Sequence, residues 1–492
     1  MAKSSLFVRA LIAVVLLLGF YVLALGIGLG LLTAAYGLFD ASIKGAFACA
    51  ALGGTVLWAL LPRRDRFQAP GPEITEVDNP ELFAVIRKVA KATAQEMPSD
   101  VYLVPDVNAF VTQRGGVMGF FSKRVMGLGL PLLTLLTVSE LEAVLAHEFG
   151  HYHGGDTRLG PWIYNTRAAI ARTVISLAHS GSTVIRKPFE WYGILFLRVT
   201  HAISRSQELA ADALAARVVG PEHLIAGLKV VHGGGAAYQT FLRTEYGPVI
   251  EAGYLAPLAE GFHRFMMGEK LRGAIDRFVD EEIEFGQSNA YDTHPPLNQR
   301  IGALEGLAKG EVEPDRRRAI ELVGDPELEA ELIFSVEGRG LKRLDWSRVA
   351  ERVQLPRWRT QSSAVAIQLS ACTLGELPMS YRGLSQLAAR ILKGEVSEMP
   401  DREAHFGAEM AGAAVCATLC HHGWQLQSRV GRPVVLRRGE IKLRPFRDFH
   451  RVVDGQLSAT KLKRRLVDAG VADLRVVRNS VRPGVTAATA KR

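Results

Sequence analysis

The sequence predicts a mainly α-helical chain with a small β-sheet, an α+β protein built in three parts. Two long uncharged apolar runs lie within residues 1–66, and helical apolar periodicity with a few extended segments follows in 67–330. Beyond residue 330 the composition shifts toward tryptophan and basic residues. We therefore predict a membrane hairpin (1–66), a central domain (67–330) and a separate α+β C-terminal domain (331–492), because 492 residues suffice for several cores.

The N-terminal part has the properties of a transmembrane helical hairpin. Residues 10–39 carry no charge, and about 20 apolar helical residues cross a bilayer. A signal peptide is the alternative, but its apolar region spans only about 7–15 residues. A second uncharged run, 45–62, follows a short loop and is long enough for a short second span.

Basic residues predict the orientation of this hairpin. They flank both outer ends and leave a single lysine between the runs (Lys3, Arg9, Lys44, Arg63, Arg64 and Arg66). The positive-inside rule then places both ends, and everything after residue 63, on the cytoplasmic side of the membrane. We expect this to be a bacterial inner membrane. Four cysteines form no disulfide framework, which agrees with a reducing compartment.

The central domain should begin after a Pro-rich linker (67–80). Asn79 and Pro80 predict a helix start, and its buried stripe should be Leu82, Val85, Ile86 and Val89. "VYLVPDVNAFVTQ" and "VMGLGLPLLTLL" are predicted to be extended, with Gly115–Gly116 in the turn between them. Ser139 and Glu142 form a predicted capping box for a helix that should run to Gly154–Gly155.

Residues 158–203 are apolar but contain Arg167 and Arg172. Because arginine is costly at the bilayer midplane, we favour helices lying in or against the membrane surface over two further spans. A strong helix should cover about 199–219 and end at Gly220–Pro221.

The C-terminal part is basic. From His421 to the end there are 17 basic and 5 acidic residues, whereas the rest of the chain has 42 basic and 45 acidic residues. A hairpin turning at Gly439–Glu440 and a basic helix near "SATKLKRRLVDAG" are predicted there. Such a tail indicates a solvated face, anionic lipid or nucleic acid. Nucleic acid is not expected, since no aromatic stacking set or binding motif accompanies the charge.

The segment "AVLAHEFGHYHGGDT" contains His147, Glu148 and His151 in the pattern H-E-x-x-H. Positions four apart share one helix face, so both imidazoles can reach one zinc ion while Glu148 projects beside it as a general base. The competing interpretation is a pair of surface or capping histidines that match the pattern by chance.

A catalytic zinc ion needs a third protein ligand. In "SRSQELAADALAA", Glu208 and Asp212 lie four apart among small apolar residues, so one carboxylate can bind metal while the other supports a ligand histidine. "YDTHPPLNQR" presents His294 before two prolines and Arg300 about a turn into the next helix, and both are donors suited to an oxyanion. The alternative without a functional site is that Glu208 and Asp212 lie on a solvated helix face, and that His294 and Arg300 are a loop histidine and a surface arginine. "NAFVTQ" would supply an edge strand on which an extended peptide can pair.

The order of these motifs resembles the HtpX-type and CAAX-prenyl-protease-type membrane zinc metallopeptidases, over about residues 75–305. The resemblance rests on H-E-x-x-H with Asp156, S-R-x-x-E-x-x-A-D, T-H-P-P-x-x-x-R and "VNAFVTQRG". It implies a zincin-like fold for the central domain and one zinc ion held by His147, His151 and Glu208.

The same resemblance assigns the other roles. Glu148 is implied as general base and Asp212 as support for a ligand histidine, with His294 and Arg300 near the transition-state oxygen. The implied activity is hydrolysis of peptide bonds by zinc-activated water. The position of the site just below the bilayer, rather than the resemblance, suggests its substrates: proteins or peptides at the membrane, as in membrane-protein quality control. Contact of the basic tail with anionic lipid is a further expectation. The alternative function is a membrane-anchored sensor or scaffold, with a zinc-bound platform and residues 331–492 as its interaction domain.

His153 and the run Cys416-x-x-x-Cys420-His421-His422 are not assigned to a metal. His153 points off the metal-facing stripe. The cysteines are expected to be packed thiols.

Overall fold

The computed structural model describes residues 2–61, 67–115, 122–152, 160–287, 294–308, 313–337, 340–369, 372–380 and 400–477. These residues form a predominantly helical structure with three small sheets, which confirms the predicted α+β class. They divide into two compact units, one of residues 1–238 and 273–336 and one of residues 239–272 and 337–492. The three-domain boundaries predicted from the sequence stay a prediction.

The first unit contains the apolar hairpin, a three-stranded sheet and the central helices. Its elements in chain order are α1 (Ala2–Gly37), α2 (Ile43–Leu60), α3 (Pro80–Ala92), β1 (Asp100–Val104), β2 (Ala109–Arg114), β3 (Lys123–Gly129), α4 (Leu130–Leu135), α5 (Val138–Gly150), α6 (Gly160–His179), α7 (Thr183–Val219), most of α8 (Pro221–Phe241), most of α11 (Glu269–Phe285), α12 (Leu297–Leu304), a 3₁₀ turn (Ala319–Leu322) and α13 (Leu328–Glu337).

Within the described chain, two helical stretches, Leu11–Gly37 and Ile43–Leu60, are long and apolar enough to cross a membrane. α6 and α7 pack alongside α1 and α2 through a shared apolar cluster that includes Phe20, Val56 and Phe189. Arg167 donates to Thr200 Oγ1 at 2.7 Å, and Arg172 donates to the carbonyl of Ala59 at 3.2 Å. Helix–helix hydrogen bonds therefore accommodate the two arginines of the predicted membrane-associated insertion (158–203), whose first residues lie outside the described ones.

The sheet has the order β1-β3-β2, with β1 parallel and β2 antiparallel to β3. β2 therefore forms one edge of the sheet, as predicted for "NAFVTQ". Gly127 of β3 lies under the ring of Phe110, where a Cβ would approach the ring to 2.3 Å, so only glycine fits there. The segment "PLLTLL" is helical rather than extended, because Pro131 occupies the first turn of α4.

α3 and α5 both begin close to the positions that the sequence predicts. α3 begins at Pro80 after Asn79 as predicted, with Phe83 buried where the prediction placed Val85. The capping box of α5 is Thr137 with Glu140, not Ser139 with Glu142. The two registers are two residues apart, and packing decides between them, because Ser139 Oγ instead accepts from the backbone of Asp315 and Glu142 pairs with Lys88.

α5 ends at Gly150, with His151 as its C-cap, while Gly154–Gly155 and Gly116 lie outside the described residues. α7 ends before Gly220 as predicted, and φ of Gly220 is 113°. It begins earlier than predicted, at Thr183, and contains Pro188. Packing of its N-terminal half in the apolar cluster extends the helix there.

The second unit is an α+β body whose described residues form two small sheets, one of two strands and one of three. Its elements are a π-turn (Leu242–Tyr246), α9 (Gly247–Glu251), β4 (Tyr254–Leu255), α10 (Leu258–Met266), β5 (Lys342–Arg343), α14 (Trp346–Val349), a π-turn (Ala350–Gln354), α15 (Leu355–Leu369), a 3₁₀ turn (Leu377–Ser380), α16 (Pro400–His421), β6 (Gln425–Gln427), β7 (Val435–Arg438), β8 (Ile441–Leu443), α17 (Pro445–Val453) and α18 (Ala459–Asp468). The hairpin turning at Gly439–Glu440 and the basic helix match the prediction. Cys416 is buried in the core of this unit, as expected for a packed thiol.

Candidate metal centre

The site is built where α5 crosses α7. α5 is fixed at its N-terminus by the capping box and by backbone bonds from Val138 and Ser139 to the 315–317 segment. At its other end Gly150 packs on Ala211, where a Cβ would lie 2.9 Å from the Ala211 Cα. This close approach brings Glu208, one turn earlier on α7, toward the histidines of α5.

His147, His151 and Glu208 converge. His147 Nε2 lies 3.5 Å from Glu208 Oε2, and His151 Nε2 lies 3.6 Å from Glu208 Oε1. One ligand atom from each of the three side chains falls within 4.8 Å of the other two. Two imidazoles and one carboxylate are the donor set of many catalytic zinc sites.

Behind His147 lies a buried charge pair. Asp212 Oδ1 is 2.9 Å from His147 Nδ1, and Arg300 binds both oxygens of Asp212, through Nε at 2.8 Å and Nη2 at 2.7 Å. The side chains of Asp212 and Arg300 are 1% and 7% exposed. A carboxylate on the second ring nitrogen fixes the tautomer and plane of a metal-binding histidine, so this arrangement holds His147 with Nε2 toward Glu208.

His294 and Glu148 lie on the more open side. His294 Nδ1 is 3.0 Å from Glu208 Oε1, with 65% of its side chain exposed. Glu148 is partly buried, and burial raises the pKa of its carboxyl to about 7 against the opposing effect of His147. A carboxyl with a pKa in this range can both accept and return a proton near neutral pH.

The pKa values of His147 and His151 shift in opposite directions. Burial lowers the pKa of His147, but hydrogen bonds to Asp212 and Glu208 outweigh burial and raise it to about 9. For His151, burial and the neighbouring His147 lower the pKa to about 4. Burial opposes ionisation of Glu208 as well, yet the bonds to His147 and His294 hold its pKa well below the usual range. Glu208 therefore stays ionised, and a cation bound beside it would take the place of the proton that His147 holds.

One atom tests whether a metal fits. Glu208 Oε2 is buried and receives no hydrogen bond of normal geometry among the described residues, since its contact with His147 Nε2 is 3.5 Å long, although buried polar atoms are rarely left unsatisfied. A cation held between Glu208 and the two histidines would satisfy it. The donor set and this orphaned oxygen fit a zinc ion.

The structure thus brings all seven candidate residues together: His147, Glu148, His151, Glu208, Asp212, His294 and Arg300. His153, which the sequence analysis did not assign to a metal, and Asp156, which belongs to the motif behind the family resemblance, lie outside the described residues. The prediction missed Tyr152, whose hydroxyl donates to the Val111 carbonyl of β2 at 3.0 Å and whose ring lies 4.5 Å below the Arg124 guanidinium. Nothing in the spacing of the motif indicates this link between the end of α5 and the edge strand.

Comparison with known proteins gives consistent matches. The profile of Peptidase family M48 matches residues 76–308. The chain is 29% identical over 311 residues to Protease HtpX of Serratia proteamaculans, covering 57% of this chain and 94% of that protein. It is 29% identical over 312 residues to Protease HtpX of Yersinia enterocolitica and 27% identical over 316 residues to that of Klebsiella pneumoniae, with the same two coverages. No solved structure matches the chain significantly.

Proposed function

Because the chain belongs to the HtpX-type family of membrane zinc metallopeptidases, we propose that His147, His151 and Glu208 hold its catalytic metal, a single zinc ion. The observation that carries this proposal is the convergence of these three side chains around Glu208 Oε2, a buried oxygen that receives no hydrogen bond of normal geometry among the described residues. Zinc at such a site supplies Lewis acidity toward the scissile carbonyl and lowers the pKa of a water molecule.

The roles of the surrounding residues follow from their exposure and contacts. Glu148 takes the proton of the attacking water and returns it to the leaving amine, which its raised pKa suits. His294, which is exposed and bonded to Glu208, donates to the oxyanion that develops on the substrate carbonyl.

Arg300 is assigned a positioning role. Its guanidinium is buried and bound to both oxygens of Asp212, which favours orientation of His147 through Asp212 over direct contact with a substrate oxygen. The edge strand β2, tied to the end of α5 by Tyr152, is the proposed place where an extended peptide adds its backbone hydrogen bonds.

The membrane hairpin sets the class of substrate. With both ends of the hairpin on the cytoplasmic side of a bacterial inner membrane, the catalytic centre lies close to the bilayer and meets membrane proteins or their cytoplasmic segments. This favours a role in membrane-protein quality control.

The basic C-terminal segment would add contact with anionic lipid. Its described part includes α18, which carries Lys461, Lys463, Arg464 and Arg465. Each basic residue near an anionic surface contributes about 1 kcal/mol. Binding to vesicles should therefore rise with their content of anionic lipid, and binding that ignores lipid charge would contradict this part of the proposal.

The experiment that tests the proposed activity compares zinc content and casein cleavage of the detergent-purified wild type with Glu148→Gln and Glu208→Gln. We expect Glu148→Gln to keep zinc and lose activity by about 10²–10⁴-fold, the usual contribution of a general base, and Glu208→Gln to lose both. The exposed Glu305→Gln serves as the matched control and should keep both.

Full activity of Glu148→Gln would overturn the assignment of the base. Equal zinc in wild type and Glu148→Gln with neither active on casein or on membrane-protein substrates would favour the sensor or scaffold.

A further inference from the structure

A second cluster of metal-binding side chains lies in the C-terminal unit, on elements separate from the metal centre. α16 and α17 pack closely, with the ring of Phe446 seated over Gly412, where a Cβ would approach it to 2.6 Å. One turn further along α17, His450 faces His405 of α16. Their Nδ1 atoms are 3.1 Å apart, and their rings are nearly parallel with centroids 5.3 Å apart.

The distance between the two nitrogens suits a shared metal ion. Zinc–imidazole bonds of about 2.0–2.1 Å in tetrahedral geometry place two ligand nitrogens about 3.3 Å apart, and the separation here is 3.1 Å. We propose that His405 and His450 form a second binding site for a divalent transition metal such as zinc, completed by solvent and independent of the catalytic centre.

Asp454 supplies the support that a metal-binding histidine needs. Its Oδ1 lies 3.5 Å from Nε2 of His405, the ring nitrogen that faces away from His450. A carboxylate on this side of the ring favours the tautomer with its proton on Nε2, which leaves the Nδ1 lone pair of His405 free for the ion. Asp454 is itself fixed as the C-cap of α17, because its backbone N–H donates to the His450 carbonyl at 2.9 Å.

The surroundings favour a positive charge at this position. Both His450 and Asp454 lie at the C-terminal end of α17, where the helix dipole is negative. The cluster is accessible, since the side chains of His405 and Asp454 are 45% and 39% exposed. Imidazole ligands with a nearby carboxylate suit zinc, copper and nickel rather than magnesium or calcium.

The test counts zinc ions at equilibrium. Full-length detergent-purified protein with Glu148→Gln as background is dialysed against zinc buffered in the micromolar range, and zinc per chain is measured. We expect one equivalent more in this background than in the same protein carrying His405→Gln and His450→Gln. His422→Gln, an exposed histidine at the end of α16, is the matched control and should keep the additional equivalent.

Asp454→Asn guards against a folding defect in the double variant. It changes an exposed carboxylate and should weaken the additional site by about 10–100-fold without removing either imidazole. Absence of zinc from the catalytic centre would lower every count equally and leave the difference between variants readable. An equal zinc count with and without the two histidines, or unchanged affinity in Asp454→Asn, would overturn the proposal and leave an ordinary hydrogen bond between the rings.

Discussion

Glu208 and Glu245 are both carboxylates withdrawn from water, one in each unit, and their pKa values move in opposite directions. Glu208 is surrounded by His147, His151, His294 and Arg300, and its pKa is held well below the usual range. Glu245, on the π-turn of the other unit, accepts one backbone bond from Gly431 at 3.3 Å, and burial raises its pKa to about 7.

Burial favours the neutral form of both carboxyls, so burial does not explain the difference. The difference comes from the side-chain hydrogen bonds that His147 and His294 make to Glu208, against a single backbone bond to Glu245. Glu208 in the first unit is therefore ionised over the whole physiological range, whereas Glu245 in the second unit ionises only as the pH approaches about 7.

The largest expected effect comes from removing Arg300, the buried cation bound to Asp212 beside Glu208. Arg300→Met leaves Asp212 buried without its two guanidinium bonds, which should cost about 3–5 kcal/mol of unfolding free energy. Thermal and urea unfolding in detergent measure this. The matched control is Arg317→Met, whose pairs with Asp315 and Glu81 are exposed and whose loss should leave stability unchanged. Equal stability of the two variants would show that burial of the pair has no energetic consequence.

Asp212→Asn should have a smaller effect that appears in metal affinity. The amide keeps the shape of the carboxylate but loses its charge and part of its hold on His147, so zinc affinity should fall by about 10–100-fold. Competition with a zinc chelator measures this change, with activity at saturating zinc as a second readout. The control is Glu142→Gln. Glu142 is a buried carboxylate on α5, the helix of the two histidines, and it pairs with Lys88 of α3. Unchanged zinc affinity in Asp212→Asn would show that Asp212 does not support the metal centre.

The smallest expected effect concerns Glu245 and depends on pH. Below the ordinary pKa of 4.5 the carboxyl is neutral in the folded and unfolded chain, so it carries no penalty. As pH rises toward about 7 only the unfolded chain ionises fully, and the folded state loses stability until the pKa of about 7 is passed. Glu245→Gln should therefore stabilise the protein by about 2 kcal/mol above that pKa and by nothing near the lower one.

Unfolding across this pH range, compared with the exposed control Glu251→Gln, measures the effect. A gain for Glu245→Gln that is the same at all pH values would show that the gain has another source.

Local pattern sufficed for much of the molecule. Four elements each follow from signals inside their own segments: the apolar hairpin, the helix that begins at Pro80, the C-terminal hairpin at Gly439–Glu440 and the basic helix after Ser458. The positions of His147 and His151 on one helical face follow from their spacing as well. The capping register of α5 did not, because Thr137 and Ser139 both satisfy the motif and only the contact with Asp315 decides between them.

The residue types available for zinc chemistry, and the order in which they occur, can be read from the sequence. Which of their atoms meet depends on the packing of the folded chain. Glu208 faces two histidines because Gly150 lets α5 lie against Ala211, and Arg300 binds Asp212 although 88 positions separate them. His405 and His450 meet across 45 positions that contain no common motif. Spacing along one helix fixes local geometry, but contacts between elements depend on how the helices pack, and no single segment encodes that packing.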